Sequence, residues 1–354
     1  MTTNSEGILS QLFPWNPSGL NLAAGVKLFV FALVAGAITI FADVNLVPVI
    51  IGALLAWLTD IPGTTANRVV GFVAYGILGS LLVWLATSLD TIAGFTLAMF
   101  AVGALLTLPM AVSSRAFMVG WSSIILFIQA NNIVGSGEVL DTIWRFLAGV
   151  VVIVVTLIWP KGKGPWGSSG DNPPPESGAN EDRSFVGVYA LTVGVALAAA
   201  AYIGMNQFDF GVQMLATSVF MVLGPTTQQK WITAAGRAVA VVAGIGLSFV
   251  LINAIDSLEV LTIVWAIFPA IAVATLGVSL AFALGAYTTQ MMMTIVLLGG
   301  NYEAFALDSN NRLVAEAIGI AIAVLAALFL EWWSKQRQVD SFVNSEFDDA
   351  EVAA

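Results

Sequence analysis

Cysteine and histidine are both absent from the 354 residues of this chain. Without thiols there is no disulfide and no thiolate metal site. Without imidazole there is no histidine-based triad, haem ligand or proton relay. Charge is nearly as scarce: 12 Lys and Arg and 22 Asp and Glu make up 10% of the residues, with a formal net charge of −10. The acids gather near the C-terminal end (Glu346, Asp348, Asp349, Glu351), in a central polar stretch and in short loops. That pattern reads as a solvated acidic surface and argues against nucleic acid or anionic head groups as partners.

What is present is apolar surface. Hydrophobic residues make up 58% of the chain and mean hydropathy is +0.92, more than one soluble core can enclose, so the partner is the lipid bilayer. Crossing about 30 Å of hydrocarbon takes roughly 20 residues of helix. Apolar segments of about that kind lie near 22–42, 45–60, 67–89, 91–110, 114–133 and 139–160, and again near 185–204, 209–224, 229–255, 258–276, 278–299 and 311–333. The expectation is an all-α integral membrane protein with about 12 transmembrane helices, six plus six. The first segment reads as a retained transmembrane helix, because no small-residue cleavage site accompanies it.

The expected organisation is an N-terminal cytoplasmic segment 1–21, a first six-helix membrane repeat 22–160, a flexible cytoplasmic linker 161–184, a second six-helix repeat 185–333 and an acidic cytoplasmic tail 334–354. The linker is rich in Gly, Pro and Ser with no apolar periodicity. It lacks phosphate-loop spacing, so ATP-driven transport is not expected, and the chain calls for no cofactor. Arg68, Arg115, Lys161, Lys163, Arg183, Lys230, Arg237, Lys335 and Arg337 fall at loops on the side of both termini, which makes that side cytoplasmic. Acids such as Asp43, Asp90, Glu138, Asp209, Asp256 and Glu303 mark the opposite side. Six is even, so both repeats enter from the same face and are parallel, the build of many secondary transporters with a substrate path between repeats.

The second segment of each half is short and ends in Pro/Gly/Thr punctuation: Pro62-Gly63-Thr64-Thr65 before Arg68, and Gly224-Pro225-Thr226-Thr227 before Lys230 and Arg237. A chain that unwinds there and rewinds into the next helix presents unpaired N–H groups, a positive dipole end, hydroxyls and a nearby cation, which is chemistry for an anion. Capped cytoplasmic turns with the cations as interfacial anchors are the structural alternative. Matching the Thr-Thr pairs sets Lys230 opposite Arg68, whereas matching the helix starts sets Arg237 there, and both registers stay open. Arg115 begins the fifth segment beside Ser113 and Ser114. Arg145 and Arg312 head the last helix of each half, with Asp141 and Glu316 as helical neighbours. Glu316 is the carboxylate placed clearly inside a span, hence the candidate for proton coupling. The fifth segments also carry Phe117, Trp121, Ser122, Ser123 and Gln129, and Tyr287, Thr288, Thr289, Gln290 and Met291 to Met293, a lining suited to an aromatic or amphipathic solute. Trp57, Trp159, Trp332 and Trp333 lie near span ends and read as interfacial belt residues.

The layout resembles the fusaric acid resistance family of inner-membrane proteins, which includes the aromatic acid exporters and is related to plant malate-transporting channels. The resembling features are a short helix ending in Pro/Gly/Thr, Arg68 with Gly71, the opening Tyr287, and Asp141, Thr142 and Gly149 matched by Arg312 and Gly319. The second half departs at Ala240, where the first has Gly71, and the large cytoplasmic domain between halves in many members is reduced here to the linker. The resemblance implies export of organic, often aromatic, carboxylates, coupled to the proton gradient and in some members served by a periplasmic adaptor protein. A malate-channel-like anion channel and a non-transporting membrane scaffold, alone or as a homo-oligomer, are the alternatives. An enzyme ranks last, since no nucleophile–base pair is visible.

Overall fold

The computed structural model describes residues 15–42, 46–134, 138–158, 183–207, 211–223, 231–299 and 314–337. Among the described residues, twelve helices carry the apolar segments: α1 (Leu22–Ala42), α2 (Val47–Leu58), α3 (Thr65–Thr87), α4 (Ile92–Thr107), α5 (Ser114–Val134), α6 (Val139–Ile158), α7 (Arg183–Gln207), α8 (Gly211–Leu223), α9 (Trp231–Ala254), α10 (Leu258–Thr275), α11 (Leu280–Gly299) and α12 (Val314–Arg337). No strand occurs among the described residues. Breaks fall where local chemistry demands them. Pro109 tightens the end of α4 into a 3₁₀ turn over Leu108–Ala111. Hydroxyl side chains take the first free N–H groups, Thr64 at α3, Thr91 at α4 and Ser257 at α10.

Among the described residues, six helical stretches are long and apolar enough to cross a membrane: Thr65–Thr87, Ile92–Ala111, Ser184–Gln207, Ala235–Ala254, Leu258–Thr275 and Val314–Arg337. Their outward faces carry large apolar side chains. On α3 these are Val70, Val73, Ile77, Leu81 and Trp84, and on α12 Leu325, Leu328, Phe329 and Trp332. Such faces are stable against lipid rather than water, and the protein is a multi-pass membrane protein. α2 and α8 hold only 12 and 13 residues, which at about 1.5 Å per residue covers about two thirds of a bilayer core.

With lipid outside, hydrophobic contrast between helices is weak, so close backbone approach at small residues carries the packing. The most extensive contacts join α4 to α7, α9 to α11, α2 to α6, α1 to α10 and α3 to α5. At the α4–α7 crossing a Cβ on Gly194 would stand 2.8 Å from the Phe100 carbonyl oxygen, and at the α1–α10 crossing one on Gly25 would stand 2.9 Å from that of Ala270. On α6, a Cβ on Gly149 would overlap the Val49 carbonyl of α2, and on α12 one on Gly319 would lie 2.6 Å from the Leu215 carbonyl of α8. Between the first six helices and the last six, Trp121 of α5 stacks on Phe220 of α8 with ring centroids 3.6 Å apart.

Gly149→Ala is expected to force α2 and α6 apart and cost about 1–3 kcal/mol, as overpacking does in a close-packed interior. Gly187→Ala, where a Cβ meets nothing within 4 Å, is expected to leave thermal unfolding in detergent unchanged or slightly raised. Equal melting temperatures for Gly149→Ala and the parent protein would overturn the assignment.

Candidate functional site

The elbow after α2 is built around a buried carboxylate. Thr59 ends the helix by donating its hydroxyl to the Ala56 carbonyl at 2.7 Å, which turns Asp60 inward to 2% exposure. Arg68, in the first turn of α3, meets it as a two-pronged fork: Nε donates to Oδ1 and Nη2 to Oδ2, both at 2.6 Å. This is the strong, oriented form of the guanidinium–carboxylate pair. One turn on, Gly71 leaves room for the stem of Arg115, whose Cδ would lie 3.2 Å from a Cβ there. Arg115 Nη2 donates to the carbonyls of Ile61 (2.8 Å) and Pro62 (3.2 Å), and its Nε has no partner among the described residues. Thr64 is spent as the cap of α3, and Thr65 is exposed.

The second short helix ends differently. Thr226, Thr227 and Lys230 lie outside the described residues. Arg237, on α9, is 2% exposed. Its Nη1 donates to the carbonyls of Val222 (3.2 Å) and Leu223 (3.0 Å), the last residues of α8. Its Nε is unpartnered, and no carboxylate pairs with it among the described residues. The connecting stretch 224–230 contains no Asp or Glu in its sequence. An arginine thus binds the last carbonyls of α8, from α9, and another binds two carbonyls of the turn just past α2, from α5, but the carboxylate beside the first elbow has no counterpart beside the second among the described residues.

Beside the end of α2 lies an open cavity of about 660 Å³, its mouth included. Its walls come from α2 (Leu54, Leu55, Trp57, Leu58), α5 (Met118, Trp121, Ile125), α10 (Ala272, Val273, Leu276) and α11 (Ala283, Leu284, Tyr287). Trp57, expected at the membrane interface, is instead 3% exposed and forms part of this wall. Trp332 is exposed, as a belt residue would be. Trp121 joins the cavity to the α8 end, because its stacking partner Phe220 precedes by two residues the first carbonyl that Arg237 holds.

Residues 195–326, from within α7 to within α12, match the family described as Fusaric acid resistance protein-like. No curated protein and no solved structure matches the chain. The fusaric acid resistance protein-like segment holds the buried polar groups Arg237, Gln290 and Glu316 together with Tyr287. Glu316 is 5% exposed with Oε2 unpartnered among the described residues, and so are Ser218 Oγ and Gln290 Oε1. Glu316 sits one turn before Gly319, which packs against Leu215 and Ser218 of α8. Arg145 is paired with Asp141 at 2.6 Å on a half-exposed face of α6, a helical-neighbour pair of small energetic weight. Arg312 lies outside the described residues.

The sequence reading thus brought Arg68 forward as an anion ligand and passed over Asp60, which occupies its guanidinium. The available signal was a carboxylate placed directly after a short helix on an otherwise cationic side. Asp60→Asn is expected to strand Arg68 and cost about 3 kcal/mol of stability, the lower end for a broken buried pair. The exchange Asp60→Arg with Arg68→Asp is expected to recover part of it. A melting temperature for Asp60→Asn equal to that of the parent protein would refute the pairing.

Proposed function

We propose that this protein is a secondary transporter, and not an enzyme, that exports organic carboxylate anions with an aromatic body across the inner membrane at the expense of the proton gradient. The observation that carries this reading is Arg237, a cation 2% exposed whose described partners are two backbone carbonyls. Helix-end carbonyls supply only about half an elementary negative charge, and an uncompensated buried charge is expensive enough to mark a binding site. A carboxylate completes it. The carbon and aromatic walls of the neighbouring cavity suit the rest of such a molecule. Glu316, a buried carboxylate in the same matched segment, is assigned to proton coupling. In this reading Arg237 takes the place given jointly to Arg68, Lys230 and Arg237, while Arg68 and Arg115 hold the first elbow.

The reading includes 12 membrane crossings in two parallel six-helix repeats with both termini cytoplasmic. Its support is that helix pairs recur with numbers six apart: α4 on α7 and α10 on α1, α3 on α5 and α9 on α11, α4 on α5 and α10 on α11, and α6 on α2 and α12 on α8. A periplasmic adaptor protein remains part of what the family resemblance implies.

Reconstituted in proteoliposomes, the protein is expected to accumulate benzoate when a proton gradient is imposed. Arg237→Gln is expected to lower that flux at least a hundredfold while the protein stays folded. Glu316→Gln is expected to keep downhill exchange and lose gradient-driven accumulation. Flux that follows voltage alone would make the protein a channel, and no flux of any organic anion would make it a scaffold; either outcome sinks the proposal.

A further inference from the structure

The two halves of the chain can be set in register on their own contacts. Gly149 of α6 lies against Val49 of α2 as Gly319 of α12 lies against Leu215 of α8, and Gly71 of α3 meets Arg115 of α5 as Ala240 of α9 meets Gly285 of α11. In that register, Gly52 on α2, Gly79 on α3 and Phe146 on α6 form one packed group in the first half. A Cβ on Gly52 would stand 3.0 Å from Phe146 Cδ2, and one on Gly79 would stand 2.7 Å from Phe146 Cζ, so two glycines clear the space that the ring fills. The same three positions of the second half hold Ser218 on α8, Ser248 on α9 and Glu316 on α12. A ring between two glycines is exchanged for a carboxylate between two hydroxyls.

All three polar residues are buried, Ser218 to 1%, Ser248 to 0% and Glu316 to 5% exposure. A Cβ on Gly319, one turn after Glu316, would stand 3.0 Å from Ser218 Cβ, which brings this serine to the face of α12 that carries the carboxylate. Glu316 Oε2 and Ser218 Oγ have no hydrogen-bond partner among the described residues. Ser248 donates its hydroxyl to the Ile245 carbonyl at 2.7 Å, so its oxygen keeps lone pairs to offer. The group therefore presents oxygen alone, with a single negative charge. A bare proton neutralises a carboxylate without calling on two more oxygens, whereas a metal cation taken out of water needs each of them. A divalent ion would leave a positive charge in the apolar interior, and a monovalent ion leaves none.

We propose that Glu316, Ser218 and Ser248 form a binding site for a sodium ion, taken up in exchange for the proton that Glu316 carries. This rests on Glu316 being the coupling carboxylate and on the two halves being repeats, as proposed above.

The test is equilibrium binding of radiolabelled sodium to the purified full-length protein in mildly alkaline buffer, with choline holding the ionic strength constant. The parent protein is expected to bind one sodium ion per chain. Ser218→Ala and Ser248→Ala each remove a single oxygen and are each expected to weaken binding about fivefold or more, and Glu316→Gln is expected to weaken it at least about a hundredfold. Melting temperatures in choline alone report folding. Should either alanine variant fail to fold, Ser218→Gly or Ser248→Gly, which restores the residue of the first half, decides the matter. No sodium binding by the parent protein, equal binding by the parent and every variant, or binding that needs Glu316 and neither serine each overturns the proposal. Absent sodium binding with proton-driven accumulation intact removes this inference alone. Accumulation unimpaired in Glu316→Gln removes the coupling reading, and the exchange with it.

Discussion

Backbone carbonyls at the end of a helix that stops inside a membrane have neither a next turn nor lipid to bond with, and each must find a donor from elsewhere in the protein. α2 and α8 are short, at 12 and 13 residues, and at the end of α8 and in the turn just past α2 an arginine donates to backbone carbonyls. Arg115 reaches from α5 to the Ile61 and Pro62 carbonyls, and Arg237 reaches from α9 to Val222 and Leu223. Two arginines are therefore tied to the backbone where two short helices end.

The two elbows then diverge through a single side chain. Asp60 gives the first a carboxylate and holds Arg68 in a fork that offsets its charge. The second has no such acid among the described residues, where the groups that answer Arg237 are the carbonyls of Val222 and Leu223. On that difference rests the proposal that Arg68 is structural and Arg237 binds the ligand, since a buried charge that loses its partner is costly. The glycine crossings of α1, α4, α6, α7, α10 and α12 supply the frame. Close backbone contact there lets bulkier side chains on α2, α5, α10 and α11 stand apart and leave the cavity between them.

The number and position of the helices were legible because hydropathy and Pro/Gly punctuation are local properties. The apolar run near 22–42 became Leu22–Ala42 and the one near 258–276 became Leu258–Thr275. The shortness of α2 and α8 was legible for the same reason, as were the candidate cations and the isolated Glu316. Helix rotation was not. In a membrane protein the buried face and the lipid face are both apolar, so periodicity carries little contrast, and Trp57 read as an interfacial residue although it faces the cavity.

What the sequence by itself determined is the class of the molecule, the extent of each helix and the chemistry available at the elbows, because each depends on residues close together in the chain. What the tertiary structure alone decided is the pairing. Asp60 finds Arg68 across a turn, Arg115 reaches carbonyls 54 and 53 residues away, and Trp121 stacks on Phe220 from the opposite half of the chain. Which charges cancel and which remain depends on distances that only the packed bundle sets, since electrostatic and hydrogen-bond energies fall off within a few ångströms whatever the separation along the sequence.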